Sequence, residues 1–219
     1  MAPAQASSKR IKTLSISRPV IYGNSARHLK DGDRKPDTPP EHTHKWSVFV
    51  RSPLGEGKAG DEDLSLYIKK VVFKLHDTYP NSTRSIEVPP FEVEETGWGE
   101  FEIGIKIFFH NDANEKNISL YHHLRLHPYK EEDKDKDVIK SLQYDEIVFN
   151  EPTELLFERL TSKPGNIIPE KTGEFNKTLE RQELQRINNG LYTINKQIDE
   201  LRKKIVEKSQ GSIANTITR

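Results

Sequence analysis

Cysteine is absent from these 219 residues, which excludes disulfides, Cys-ligated zinc and thiol catalysis. Net charge is absent too: 34 basic residues balance 34 acidic ones, so there is no global basic field and nucleic acid is not favoured as the primary partner. No stretch approaches the ~20 consecutive apolar residues of a membrane-spanning helix, and no direct membrane contact is expected. The opening residues, MAPAQASSKR, lack the apolar centre of a signal peptide, so an intracellular protein is expected. The Asn-x-Ser/Thr triplets at Asn81, Asn117 and Asn176 then carry no glycosylation meaning. There is no Gly-x-Ser-x-Gly, no phosphate-cradling glycine loop and no Ser/His/Asp pattern. His42-x-His44 and His122-His123 with His127 are spaced like metal ligands, but no carboxylate of matching spacing closes a set. No enzyme, metal or cofactor is expected.

What is present is polar. Charged residues make up 31% of the chain and mean hydropathy is −0.79, so a folded domain should be accompanied by solvated helix or loop. Residues 1–8 read as a disordered tail. Short strands are expected at 13–22, where Pro19 argues for an edge or a break, then at 44–51, within 64–75, at 85–88 and 91–96, at 101–109, at 118–127 and at 144–149. Phe101, Ile103, Ile105, Ile107 and Phe109 form the cleanest period-two run. Residues 23–40 read as a long loop, 52–63 as a Gly/acidic connection and 130–137 (KEEDKDKD) as a solvated loop. Many short strands punctuated by turn residues suggest an immunoglobulin-like β-sandwich.

The pattern then changes to helix. Asn150 is expected to cap a helix carrying Leu155, Leu156, Phe157 and Leu160, stopped by Lys163-Pro164-Gly165. After a linker at 166–174, residues 175–208 read as a coiled-coil helix, with a disordered tail at 209–219. Leu184, Leu191, Ile198 and Ile205 occupy a positions, and Ile187, Ile194 and Leu201 occupy d positions, of a seam ~33 Å long at ~1.5 Å per residue. A helix folding back on its own sandwich is the alternative to a partner helix.

Two corners stand out, LHDTYP at 75–80 and ETGWGEF at 95–101. Each carries an aromatic residue among turn-forming ones, and loops that present aromatics beside hydrogen-bonding groups are frequent binding sites. Tyr79 and Trp98 could form two walls with His42 as a third, or could simply plug the end of a sandwich. An aromatic cage suits a quaternary ammonium group through cation–π attraction. A flat, neutral acyl amide would instead need aromatic faces, a backbone donor and a hydroxyl acceptor, which Trp98 N–H beside Gly97 and Thr78 could supply. The residues alone leave both guests open.

The words HTHKW at 42–46, FVR at 49–51, IKKVVFKLHDTYPN at 68–81 and PPFEVEETGWGEF at 89–101 resemble the YEATS domain family in order, over residues 9–165. The chain is most similar to short fungal members with a C-terminal coiled coil, subunits shared by a histone acetyltransferase complex and a variant-histone-exchange remodeller. The resemblance implies an immunoglobulin-like sandwich and a nuclear, non-enzymatic chromatin regulator. It also implies an end-open aromatic channel that reads acetylated, and often better crotonylated, histone lysine, histone three being the expected tail. Position by position, the family's site falls on His42, His76, Thr78, Tyr79, Gly97 and Trp98, with Phe101 in support. His42 stands where several members have Phe, Thr78 where others have Ser, and Trp98 where some have Tyr. Asp77, Glu94, Glu95 and Glu100 could attract a basic tail or form a merely solvated rim. A structural subunit with a vestigial pocket, or a methyl-lysine cage, is the alternative function.

Overall fold

A computed structural model of the chain describes residues 9–53, 64–129, 131, 134–162, 168–171 and 173–217, with side chains to 208. The expected tail at 1–8, most of the 52–63 connection and the 163–165 helix stop lie outside the described residues. The chain divides into two compact units after Ile168.

The first unit is a sandwich of two antiparallel four-stranded sheets. One contains β1 (Ser15–His28), β2 (His44–Arg51), β5 (Phe91–Gly97) and β8 (Ile139–Asn150) in the order β5-β2-β1-β8. The other contains β3 (Ile68–Lys74), β4 (Thr83–Ile86), β6 (Glu102–Phe109) and β7 (Ile118–His123) in the order β4-β3-β6-β7. Period-two alternation sends Val48 and Val50 from β2, Val71 and Phe73 from β3, and Ile103, Ile105 and Ile107 from β6 into one core.

Several expected boundaries are corrected. β1 does not stop at Tyr22 but runs to His28 through part of the expected loop. Gly23 permits this: a Cβ there would lie 2.2 Å from the Ser141 carbonyl on β8. Pro19 sits in a strand that is central further along, yet at Pro19 β1 is paired only with β8, so it is locally an edge. β7 ends at His123 rather than 127, although Leu124 and Leu126 remain buried. β8 begins at Ile139, before the expected 144. Thr153, not Asn150, caps the next helix, α1 (Glu154–Thr161), its Oγ1 accepting from Leu156 N at 3.2 Å. α1 buries Leu156 and Leu160 and leaves Leu155 exposed.

The second unit is dominated by α2 (Lys177–Ile217), which continues past the expected boundary at 208 into the segment read as a tail. Asn176 caps it, Oδ1 accepting from Leu179 N at 3.0 Å.

Two buried histidines tie the first unit's stability to pH. Burial, then repulsion from His123 and Arg125, lowers His122 to about 4; burial, then His28 and His127, lowers His44 to about 4. Both are neutral in the folded chain and protonate near 6.5 when unfolded, so stability is unaffected above that value and declines as pH falls from 6.5 toward 4. Urea midpoints should hold steady from pH 8 to 7 and drop by pH 5, with a shallower drop in His122→Gln. A midpoint equally high at pH 5 would contradict the assignment.

Candidate functional site

The two aromatic corners meet at one end of the sandwich because β3–β4 and β5–β6 turn there. Gly97 makes their approach possible. It ends β5 opposite His44 of β2, and a Cβ on it would lie 2.3 Å from the Tyr79 hydroxyl and 3.2 Å from Trp46 Nε1. Tyr79 uses that gap to donate its hydroxyl proton to the Thr96 carbonyl at 3.1 Å. Burial raises the Tyr79 phenol above its usual pKa against the opposing effect of the nearby Trp46 indole N–H, which makes no well-aligned hydrogen bond among the described residues.

Behind Tyr79 lies an aromatic floor. Trp46 meets Tyr79 edge-on at 5.8 Å and Phe101 at 6.0 Å, Phe101 lies 5.6 Å from Tyr79, and His76 lies 5.9 Å from Phe101. Such geometries are favourable for ring pairs. Thr78 Oγ1 and Thr78 N lie 2.9 and 3.3 Å from His76 Nδ1. With Nδ1 accepting from both, the Thr78 oxygen keeps its lone pairs for another donor. His42 Nδ1 and Thr96 Oγ1 are 2.8 Å apart.

Trp98 is different. It is 66% exposed and makes no ring contact with any described residue, so Tyr79 and Trp98 are brought to the same rim but not into mutual contact. Its backbone N–H likewise has no partner among the described residues. The structure thus gathers His76, Thr78, Tyr79 and Phe101 tightly, joins His42 through Thr96, and leaves Trp98 as an open flap. Trp46 and Thr96 were missed from sequence. Trp46 was legible as the core-facing partner of Val48 and Val50, whereas the Thr96 contacts have no sequence signal.

The four neighbouring acids all have internal partners. Lys74 Nζ contacts Asp77 at 2.5 Å and lowers its pKa, Lys45 meets Glu94 at 3.2 Å, Arg84 meets Glu95 at 2.7 Å and Arg125 meets Glu100 at 3.1 Å. Of the histidines spaced like metal ligands, His44 and His127 meet edge-on at 4.9 Å, with His28 tilted against His44 at 4.5 Å, while buried His122 donates Nε2–H to Asn24 Oδ1 and His123 is exposed.

A YEATS family model matches residues 41–128, which contain every one of these candidate site residues. The AF-9 homolog proteins of Eremothecium gossypii and Saccharomyces cerevisiae are 53% and 50% identical to the chain. The alignments cover 94% and 90% of it and 97% and 92% of those proteins. The chain belongs to the YEATS family. Its sandwich is similar to the crystal structure of yeast Yaf9, with a TM-score of 0.62 at 55% identity over 71% of this chain and 99% of that one. It also resembles the Yaf9 YEATS domain bound to H3K27ac (TM-score 0.60, 55% identity, 71% and 99% coverage) and the same domain recognising an H3K122suc peptide (0.58, 56%, 70% and 99%).

The two glycines of the ETGWGEF corner separate by substitution. Gly97→Ala should lower unfolding free energy by about 1–3 kcal/mol, because the methyl group collides with the Tyr79 hydroxyl. Gly99→Ala, whose Cβ would meet nothing within 4 Å, should stay within about 0.5 kcal/mol of wild type. Urea unfolding of both variants measures the contrast; equal effects would contradict the close-approach account.

Proposed function

We propose that the chain is a non-enzymatic reader of acylated lysine on a histone tail, acting in the nucleus as a subunit of chromatin-modifying and remodelling complexes. One observation carries the reading: an acceptor on Thr78 and a donor on Trp98, both unengaged among the described residues, flank the aromatic floor of Tyr79 and Phe101. A secondary amide presents the complementary pair, an N–H for Thr78 Oγ1 and a carbonyl for Trp98 N–H. It is also flat and neutral, so it stacks on rings without the desolvation cost of a charge. Relatives solved with H3K27ac and H3K122suc support a histone acyl-lysine guest.

His42, His76, Thr78, Tyr79, Gly97, Trp98 and Phe101 take distinct roles in this reading. Tyr79 and Trp98 are the walls, Phe101 backs Tyr79, His76 orients Thr78, Gly97 lets the corners approach, and His42 closes the rim through Thr96. A trimethyl-lysine cage fits less well, since a cation satisfies neither the Thr78 acceptor geometry nor the Trp98 donor. A vestigial pocket would not need the hydroxyl, the glycine and the donor together.

α2 serves assembly in this account. All seven seam residues, Leu184, Ile187, Leu191, Ile194, Ile198, Leu201 and Ile205, are exposed in the single chain. The e positions are Asn188, Asn195 and Arg202, and the g positions Gly190, Gln197 and Lys204. No acid answers Arg202 or Lys204 in a parallel pair of identical helices, so the partner is a different protein.

Two tests follow from these assignments. Trp98→Ala should weaken binding of an acetylated histone peptide about tenfold or more, by losing a stacking wall and donor alignment together. Thr78→Ala should cost less, and trimethylated peptide should bind neither variant nor wild type. Preference for trimethyl-lysine, or undiminished acyl binding by folded Trp98→Ala, would overturn the site. Replacing Ile194 and Leu201 by Asp should release the protein from its complexes while leaving peptide affinity unchanged. Sedimentation of the purified chain as a tight homodimer at low micromolar concentration would contradict a heteromeric seam.

A further inference from the structure

We propose that Glu100 is a positioning residue for the acyl-lysine site, and that residues 124–127, beyond β7, are that site's third support. This rests on the acyl-lysine reading above.

Among the described residues Trp98 has no ring contact to locate it, so its placement depends on the backbone of residues 97–101. On one side this backbone is held where Thr43 N donates to Gly97 O at 3.1 Å. Gly99 contributes no side chain. The other side is held by Glu100 and Phe101. Glu100 Oε1 accepts from Leu126 N at 2.8 Å and His127 N at 3.2 Å, while Oε2 accepts from Arg125 Nη1 at 3.1 Å. Phe101 O accepts from Leu124 N at 2.8 Å. Burial by itself would raise the Glu100 carboxyl; the Leu126 and His127 amides and Arg125 outweigh it and hold the pKa below the usual value.

The segment that receives Glu100 is itself fixed. Leu124 and Leu126 are in the core. Asn24 of β1, wholly buried, donates Nδ2–H to Arg125 O at 2.8 Å and accepts from Arg125 N at 3.0 Å. The path from β1 through Asn24, the 124–127 backbone and Glu100 therefore runs from the interior of one sheet to the loop that presents Trp98. Charge-assisted bonds to two backbone amides are stronger than neutral ones and fill Oε1, while Arg125 takes one lone pair of Oε2. The remaining contact in reach, His123 Nε2 at 4.0 Å, lies beyond hydrogen-bond distance.

Glu100→Gln separates positioning from attraction. It keeps a carbonyl that can accept from Leu126 N and His127 N but abolishes the charge, whereas Glu100→Ala removes both. The full chain and both variants are titrated with two acetylated histone peptides, one natural and one with the basic residues flanking the acetyl-lysine replaced by glutamine. Amide hydrogen exchange at Leu126 and His127 is followed without ligand. The expected result is that Glu100→Ala weakens both peptides by about five- to tenfold and speeds exchange at both amides, while Glu100→Gln restores most of the affinity and protection. Equal losses in the two variants, confined to the basic peptide and with exchange unchanged, would assign Glu100 to the tail and overturn the proposal. Unchanged affinity of Glu100→Ala for both peptides would overturn it as well. If the wild type ignores both acetylated peptides, the acyl-lysine reading itself fails and the positioning role falls with it; the ligand-free exchange data then still report whether Glu100 anchors the loop.

Discussion

The site depends on one close approach, the Tyr79 hydroxyl over Gly97. Only a residue without a Cβ lets the β3–β4 corner settle against the end of β5. Once there, Tyr79 reaches the Thr96 carbonyl, Trp46 and Phe101 close around its ring, and the β5–β6 corner is brought alongside. The aromatic floor is thus part of the sandwich core at one end rather than an attachment to it. Its rings are held by packing, while Thr78 and Trp98 at the lip keep polar groups unengaged among the described residues. That division is what a reader of a small neutral group requires: fixed faces to stack on, and hydrogen-bonding capacity not already satisfied.

Charge has mostly a structural role around this floor. Each acid near the two corners is held by a cation from the same unit, as Glu95 is by Arg84 and Glu94 by Lys45. A balanced chain with locally satisfied acids offers little general attraction, so selectivity falls to shape and hydrogen bonding. The second unit divides the labour differently, with a charged helix whose narrow apolar stripe stays uncovered in the single chain.

Much of this was legible in the sequence where side-chain period alone decides it. β2 falls on the expected 44–51, and the Ile103, Ile105, Ile107 alternation identifies β6 and its buried face. Where tertiary contacts override local signals, the reading failed. Residues 23–28 look like loop because Gly, Asn and Ser favour turns, yet Gly23 lets β8 approach and Asn24 is consumed by buried hydrogen bonds. Residues 124–127 continue an apolar alternation but leave the sheet, because their amides are taken by Phe101 and Glu100 instead of a strand. Among site residues, Tyr79, Gly97 and Trp98 announce themselves as aromatics and glycine in turns. Trp46 is legible as a core-facing strand residue but not as part of the site, and Thr96 acts largely through a carbonyl that no side chain reveals.

The most direct test of the central claim, that the Tyr79–Gly97 end of the sandwich receives a neutral acyl amide, is a titration of the purified full chain against matched histone peptides. The peptides are unmodified, acetylated, crotonylated and trimethylated at one lysine. Saturable binding of both acylated peptides, with the unmodified and trimethylated ones at least about tenfold weaker, is the predicted result, a gap of about 1.4 kcal/mol. Equal binding of all four, or preference for the trimethylated peptide, would contradict it.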